Sequence, residues 1–299
     1  MDNNLIKLEP YNAYSPIQKE PLFSKANDLQ SRAWSVQLQK YNKDNISFWD
    51  EVGTVGRDYL LVPNSEVNEL SIEITEKSEL DWTPKTEFFD GRRYQKTYVN
   101  EQVTKEVKVG DNIGVGIAFR NSYDGSTSLS VQLFGMRLIC ANGMFSKEMF
   151  SSFNFRHDKN MVGFHDEVMS AIDFIHNCDI PLENLAEGLR NMVQVPFDVS
   201  TLHDIRTKPL LNPTKKYPLG VPNKFTTLPV TTFGKCVDKF LDDYDAEAFA
   251  QGHTSLWDFY NAGTSVLTHE KKITNAHFTQ NYEITDSLLK YASDYVTAK

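Results

Sequence analysis

The spacing of hydrophobic positions changes along the chain, and each change predicts a different kind of element. Residues 1–25 hold Pro10, Pro16 and Pro21 among polar residues and read as an N-terminal arm. Residues 26–52, with Trp34, Val36, Leu38, Phe48 and Trp49 as apolar anchors, read as mostly helical. Strand signals follow. Tyr59-Leu60-Leu61-Val62 is a short apolar run, and Leu70-Ser71-Ile72-Glu73-Ile74 alternates with period two. After Phe88-Phe89-Asp90-Gly91, the stretch Arg92–Val99 reads as a strand with Arg92, Tyr94, Lys96 and Tyr98 on one face, because successive side chains of a strand point to opposite sides.

The strongest local pattern runs from residue 111 to residue 140. Ile113, Val115, Ile117 and Phe119 alternate with Gly114, Gly116, Ala118 and Arg120, and alternation resumes at Leu129, Val131 and Leu133. Between them stands Asp124-Gly125, a hairpin signal because glycine accepts the positive φ of a tight turn. Further on the period becomes helical. Phe164, Val168, Ile172 and Ile175 share one face, then Pro181 opens a helix striped by Leu182, Leu185, Leu189 and Met192 or Val193. Five prolines between 207 and 230 forbid a long helix there. Helices are expected again at about 235–250, 254–267 and 284–297. The pattern predicts an α+β fold: an antiparallel sheet with a prominent β-hairpin, helices packed on one face, and a C-terminal helical subdomain. It divides the chain into an arm (1–25), an α+β core (26–206), a Pro-rich connector (207–232) and a helical C-terminal part (233–299).

Length and composition change this picture little. The chain has 299 residues, 40% hydrophobic and 24% charged, which suits a globular protein with a real core. No apolar run reaches the ~20 residues that span a bilayer. Cys140, Cys178 and Cys236 are odd in number and far apart, which argues against a disulfide framework and for a reducing, cytoplasmic setting. The net charge is −9, so any contact with nucleic acid must use a local basic surface.

At the hairpin, Asn121-Ser122-Tyr123-Asp124-Gly125-Ser126, followed by Arg137-Leu138-Ile139-Cys140-Ala141-Asn142-Gly143-Met144, resembles the core of the phage/plasmid-like protein family, domain of unknown function family 932. That family shows an Asn-Ser-His-Asp-Gly-Ser turn and then an Arg-hydrophobic-Val-Cys-x-Asn strand end. Arg156-His157 resembles the family's later Arg-His pair. Trp257, Asn261, Ala262 and Thr264 resemble its Trp-x-x-x-Asn-Ala-x-Thr helix, and His269 falls where it often has a histidine. Tyr123 departs from the family's histidine, and Thr268 from its acid. The resemblance implies the DNA metabolism of mobile elements in a bacterial or archaeal host cell. By fold analogy it also implies a likeness to phage single-strand annealing proteins, whose sheet is hairpin-rich and backed by a helix.

The candidate chemistry is cationic and aromatic. Between Trp82 and Cys140 eight lysines and arginines face six acids, so this stretch is locally basic within an acidic chain. Phosphates need lysine or arginine and bases stack on rings, so Arg92, Arg93, Lys96, Arg120 and Arg137, with Tyr94 and Tyr98, form the expected nucleic-acid surface. The same residues also fit an ordinary solvated strand face with tyrosine for β propensity. Asn121, Ser122, Asp124, Gly125 and Ser126 suit a purely structural turn, although their polar groups could also meet a phosphate. Asn142, His157, Trp257 and Asn261 enter as family-motif residues without an assigned role. The pairs His157-Asp158, His165-Asp166 and His203-Asp204 could hold a metal for phosphoester hydrolysis, but Asp166 is equally a first-turn helix acid. Gly114-Val115-Gly116 lacks the third glycine of a dinucleotide fingerprint, and no P-loop or nucleophile elbow occurs. No cofactor is expected.

Three readings follow. The first is non-catalytic binding of single-stranded nucleic acid, with strand annealing by a homo-oligomer that pools weak sites. The second is a counter-defence protein whose acidity caps a basic surface of a host defence complex. The third is a metal-dependent phosphoester hydrolase.

Overall fold

The structure is a computed structural model, and it describes residues 11–23, 29–42, 45–138, 143–144, 151–158, 164–207, 230–244, 246–269 and 288–297. It divides into two compact units. The first comprises Met1–Val99, Ile117–Gln132 and Ser151–His176, and the second Asn100–Gly116, Leu133–Phe150 and Asn177–Lys299.

The first unit opens with an antiparallel three-stranded sheet in the order β1-β2-β3, from Ile17–Phe23, Gln30–Tyr41 and Ser47–Gly56. Residues Ile17–Phe23 of the expected arm are therefore a strand, and the described part of the expected 26–52 helix is mostly two strands. The reason is visible in the alternation Trp34, Val36, Leu38. Val36 and Leu38 are fully buried and join Val52, Val55 and Tyr123 in one core cluster, with Trp34 packed against it. A register shift between Val36 and Gln37 marks a bulge in the pairing with β3. Phe48 and Trp49 are not core anchors; both are exposed, as are Tyr41 and Ile46 at the same end of the hairpin.

Tyr59–Val62, expected as a strand, is an irregular segment leading into helix α1 (Asn64–Lys77). Its backbone is tied instead to other segments: Leu60 N–H donates to the His157 carbonyl at 2.8 Å, and Lys19 Nζ donates to the Tyr59 carbonyl at 2.6 Å. The expected Leu70–Ile74 strand lies inside α1. The buried positions are Val67, Leu70, Ser71 and Ile74, a helical spacing, and Ile72, the middle of the apparent alternation, is exposed.

The larger sheet follows the order β4-β5-β6-β7-β8, with β9 also paired to β7; the strands are Trp82–Phe89, Arg93–Lys108, Asp111–Ser122, Leu129–Arg137, Gly143–Met144 and Ser151–Phe155. The expected hairpin is β6–β7, and Gly125 in its turn has φ +72°. Strands β5, β6 and β7 contribute residues to both units. Helix α2 (Phe164–His176) completes the first unit.

In the second unit, α3 (Asp179–Gln194) buries the predicted stripe of Leu182, Leu185, Leu189 and Met192. The two-residue strands β10 (Pro196–Phe197) and β11 (Thr254–Ser255) pair antiparallel. The remaining helices are α4 (Val199–Thr207), α5 (Val230–Asp243), α6 (Ala246–Ala250), α7 (Leu256–His269) and α8 (288–297). Phe197, Phe240, Phe249 and Phe259 pack ring on ring and hold α5, α6 and α7 together. All five connector prolines lie outside the described residues, as do Cys140 and Asn142. The protein is α+β, with antiparallel sheets and a helical C-terminal part. Among the described residues, no helix is long and apolar enough to cross a membrane.

Candidate nucleic-acid interface

Strand β5 presents two faces, and the sequence-predicted residues divide between them. Tyr94, Lys96 and Tyr98 share the face turned to α1, as their alternation predicts. There they form a hydrogen-bonded network. Tyr94 Oη donates to Glu87 Oε1 at 2.9 Å and lies 3.2 Å from Tyr14 Oη, which itself bonds Glu87. Lys96 Nζ donates to Asn68 Oδ1 at 2.6 Å and sits over the Tyr98 ring, whose hydroxyl meets Ser71 Oγ at 3.0 Å. Burial pushes the Tyr94 hydroxyl far up, reinforced by Tyr14 and Glu87, so it stays protonated. Tyr94 and Tyr98 are only 2% and 6% exposed. The expected stacking of bases on these rings is therefore corrected: both rings are committed to packing α1 on the sheet. Lys96 belongs to the same internal network.

The opposite face carries Arg93, Gln95 and Thr97 on β5. The bond from Tyr123 N–H to the Arg92 carbonyl, 2.7 Å, sets the register at one end. Counting inward along the antiparallel pair brings Gln95 across from Arg120 and Thr97 across from Ala118. On the other side of β6, the bond from Leu138 N–H to the Asn112 carbonyl brings Arg120 across from Ser130 and Ala118 across from Gln132. The same count pairs Gly116 with Phe134, whose ring lies against the glycine. The result is a polar grid across three strands, Arg93, Gln95 and Thr97 on β5, Arg120 and Ser122 on β6, and Ser130 and Gln132 on β7, around the small Ala118.

Two guanidinium groups lie in this grid. Arg93 grips Asp90 through Nε at 3.0 Å and Nη2 at 2.7 Å, and part of its side chain remains exposed. Asp90 also accepts from the Arg92 and Arg93 backbone N–H groups; burial opposes its ionisation, and these bonds outweigh burial and hold its carboxyl below the usual range. Arg120 is 5% exposed, and burial followed by the like charge of Arg93 lowers its pKa to about 10. It remains a cation at neutral pH, but a destabilised one. Arg92 lies before β5 and is exposed.

The family hexapeptide is a structural joint. Asn121 Nδ2 donates to the Val62 carbonyl and to Asn64 Oδ1, both at 2.8 Å. Tyr123, where the family has histidine, accepts from Asn64 N–H at 3.0 Å through its hydroxyl and so satisfies a free donor at the start of α1. Tyr59 Oη donates to the Ser122 carbonyl, Ser122 Oγ closes the turn with Thr127, and Asp124 accepts from Ser126 N–H. His157 stacks on Tyr59 with centroids 4.6 Å apart and donates from Nδ1 to the Leu60 carbonyl. These residues fix the 59–64 segment.

In the second unit Arg137 is likewise engaged. Its guanidinium grips Asp111 at 2.8 and 2.6 Å, and Trp257 Nε1 donates to the same carboxylate at 3.0 Å. Asn261 Nδ2 donates to the Trp257 carbonyl. Arg137 is therefore corrected from a phosphate contact to a structural cation. Sequence reading missed Asp111, Asn64, Tyr59, Asp90, Gln95 and Gln132. For Gln95 and Gln132 a signal existed: each is a polar residue in an alternating run expected to be a strand. For the others the partner lies far away in the chain, and no local pattern marks it.

The three His-Asp pairs do not converge. His157 faces Tyr59 and Leu60, His203 is exposed on α4, and the side chain of His165 lies outside the described ones. Among the described residues no group of three or more His, Cys, Asp or Glu is placed to hold a metal.

The fold defines a mixed α+β protein built on a central antiparallel hairpin. A family model for a domain of unknown function (DUF932) matches residues 51–289, and the chain belongs to that family. Neither a curated protein nor a solved structure matches the chain.

Proposed function

We propose that the protein binds single-stranded nucleic acid without acting on it chemically, in the DNA metabolism of a mobile element, with Arg92 and Arg93 as the phosphate-neutralising pair. The observation that supports this reading is the exposure of Arg92 beside the partly exposed Arg93 at the start of β5. The planar guanidinium suits phosphate oxygens. Assembly into a homo-oligomer would pool many such weak contacts along a strand.

The test is fluorescence anisotropy with labelled single- and double-stranded DNA at low salt. Single strands are expected to bind, and the double variant Arg92→Gln/Arg93→Gln to lose about tenfold or more in affinity. Absence of binding at low salt would sink the reading.

One observation favours a second reading, the capping of a basic surface on a host defence protein. Glu66, Glu69, Glu73 and Glu76 recur at helical spacing along α1, mostly exposed, and only Glu73 is paired within the helix, with Lys77. Salt-sensitive capture of a basic protein, with no affinity for DNA, would bring it forward.

A further inference from the structure

The β2–β3 hairpin keeps its large rings outside. Tyr41, Ile46, Phe48 and Trp49 cluster around its turn and are between 37% and 61% exposed. Apolar side chains scattered singly over a surface need no explanation, but a cluster of them marks a contact site. The turn itself is firmly built. Asn42 N–H donates to the Ile46 carbonyl at 3.0 Å, Asn42 Oδ1 accepts from Ile46 N–H at 2.8 Å, and Asn45 takes the left-handed conformation at φ 60°. The core of this sheet lies further along, at Val36, Leu38, Val52 and Val55, so Phe48 and Trp49 are not what binds it to the fold.

The strand pairing divides the rings between two faces. Phe48 stands across from Lys40, whose Nζ lies 3.9 Å from the centroid of the Tyr11 ring, so Phe48 is on the Tyr11 face. Trp49 stands across from Gln39, with Tyr41 diagonal to it, on the other face. Tyr11 also brings a cation to this end. Its hydroxyl donates to Asp50 Oδ2 at 3.0 Å, one residue beyond Trp49, and a Cβ on Gly91 would stand 2.8 Å from its ring. One ring thus holds the β4–β5 turn against the start of β3, and the exposed Arg92 follows Gly91 directly. The Arg92 charge reaches the Tyr11 hydroxyl: burial and the Asp50 carboxylate raise its pKa, and Arg92 opposes them. All of these residues belong to the first unit.

A nucleotide matches this combination. Its phosphate suits Arg92, the faces of its base suit an exposed ring, and its polar edge suits an amide such as Gln39 beside Trp49. An apolar protein partner would want apolar neighbours around the rings, whereas Gln39 and Ser47 flank Trp49. Glu51 is exposed on the Trp49 face, which keeps phosphates on the Arg92 side while bases reach the hairpin end. Tyr94 and Tyr98, buried in the larger sheet, offer no ring face of this kind.

We infer that the turn end of the β2–β3 hairpin is a base-stacking surface, with Phe48 and Trp49 receiving bases of a single strand whose phosphate lies at Arg92. This rests on the nucleic-acid reading and adds to it the rings that hold the bases.

The test compares two labelled single strands of equal length, oligodeoxythymidine and an abasic strand that keeps every phosphate but carries no bases. The full-length protein is expected to bind the thymidine strand about tenfold more tightly. In Phe48→Leu/Trp49→Leu, which keeps apolar bulk without rings, both strands should bind alike, at the abasic level and with unchanged salt dependence. Arg92→Gln/Arg93→Gln should do the reverse, losing salt dependence and keeping the preference for bases. Equal affinity of the unaltered protein for both strands overturns the stacking surface and leaves phosphate binding standing. So does a preference that survives Phe48→Leu/Trp49→Leu. Self-association in sedimentation velocity that this double substitution abolishes would show the rings covering a second copy of the chain, and also overturns it. Binding of neither strand overturns the nucleic-acid reading, and this inference with it. The comparison of the two strands on the unaltered protein does not depend on any variant folding.

Discussion

Asp111 holds three bonds with one carboxylate: two from the Arg137 fork and one from the Trp257 indole. The guanidinium also lies over the indole ring, 5.5 Å from its centroid. Changing Asp111→Asn keeps the shape but removes the charge opposite a largely buried arginine. Breaking such a pair from one side costs more than the pair is worth, so a loss of about 3 kcal/mol is expected, read as a lower urea midpoint at unchanged slope. His157 allows a different test. Burial lowers its pKa, while the Leu60 carbonyl accepting from Nδ1 opposes the shift. The folded imidazole therefore stays neutral where the unfolded one takes a proton. Stability from this residue is present above the unfolded pKa of about 6.5 and is lost as pH falls below it. His157→Phe keeps a ring on Tyr59 but cannot titrate, so the decline in melting temperature between about pH 7 and pH 5 should flatten. At this scale the sequence marked Arg137, Trp257 and His157 through a family resemblance but not their roles. Asp111 stands 26 residues from Arg137 and 146 from Trp257, and no spacing rule links them.

The β4–β5 hairpin depends on Gly91, which has φ +92° and no room for a side chain. A Cβ there would stand 2.8 Å from the Tyr11 ring. Tyr11 in turn bonds Asp50 at 3.0 Å and lies under Lys40, so the ring is not free to retreat. Gly91→Ala should cost roughly 1–3 kcal/mol, combining backbone strain and contact. In a Tyr11→Ala background the contact part should vanish and only the backbone part remain, a non-additivity that a double-mutant cycle measures. The elements themselves were unevenly legible. The 111–140 hairpin and α3 followed their periods because each has one consistent buried face. Residues 30–56 did not, since their glutamines and lysines suit a helix while Trp34, Val36 and Leu38 alternate. Pairing with β1 and β3 decided in favour of the alternation. Residues 70–74 erred the other way. Five residues of alternation cannot outweigh the Val67, Leu70, Ser71, Ile74 spacing, which only a longer window reveals.

At the scale of the whole molecule, charge sets how strongly a nucleic acid can be held. The chain carries −9, and the α1 glutamates repel a polyanion from their side. The structure also withdraws several cations that sequence alone would have counted. Arg137 is locked on Asp111 and Lys96 on Asn68, while Lys105 pairs with Asp179 and Glu183. The interface proposed above thus rests on two guanidiniums. Counterion release then fixes its salt dependence. Each phosphate neutralised on a single strand contributes a slope of about −0.7 in log affinity against log salt, so two give about −1.4. A protein that tracks a strand along a broad cationic groove shows a much steeper line. The slope measured on single-stranded DNA should therefore be shallow, and it should approach zero in Arg92→Gln/Arg93→Gln. A slope beyond about −4 would require more phosphate contacts than this face supplies and would move the interface to another surface. A shallow slope would put most of the remaining affinity in contacts other than phosphate neutralisation.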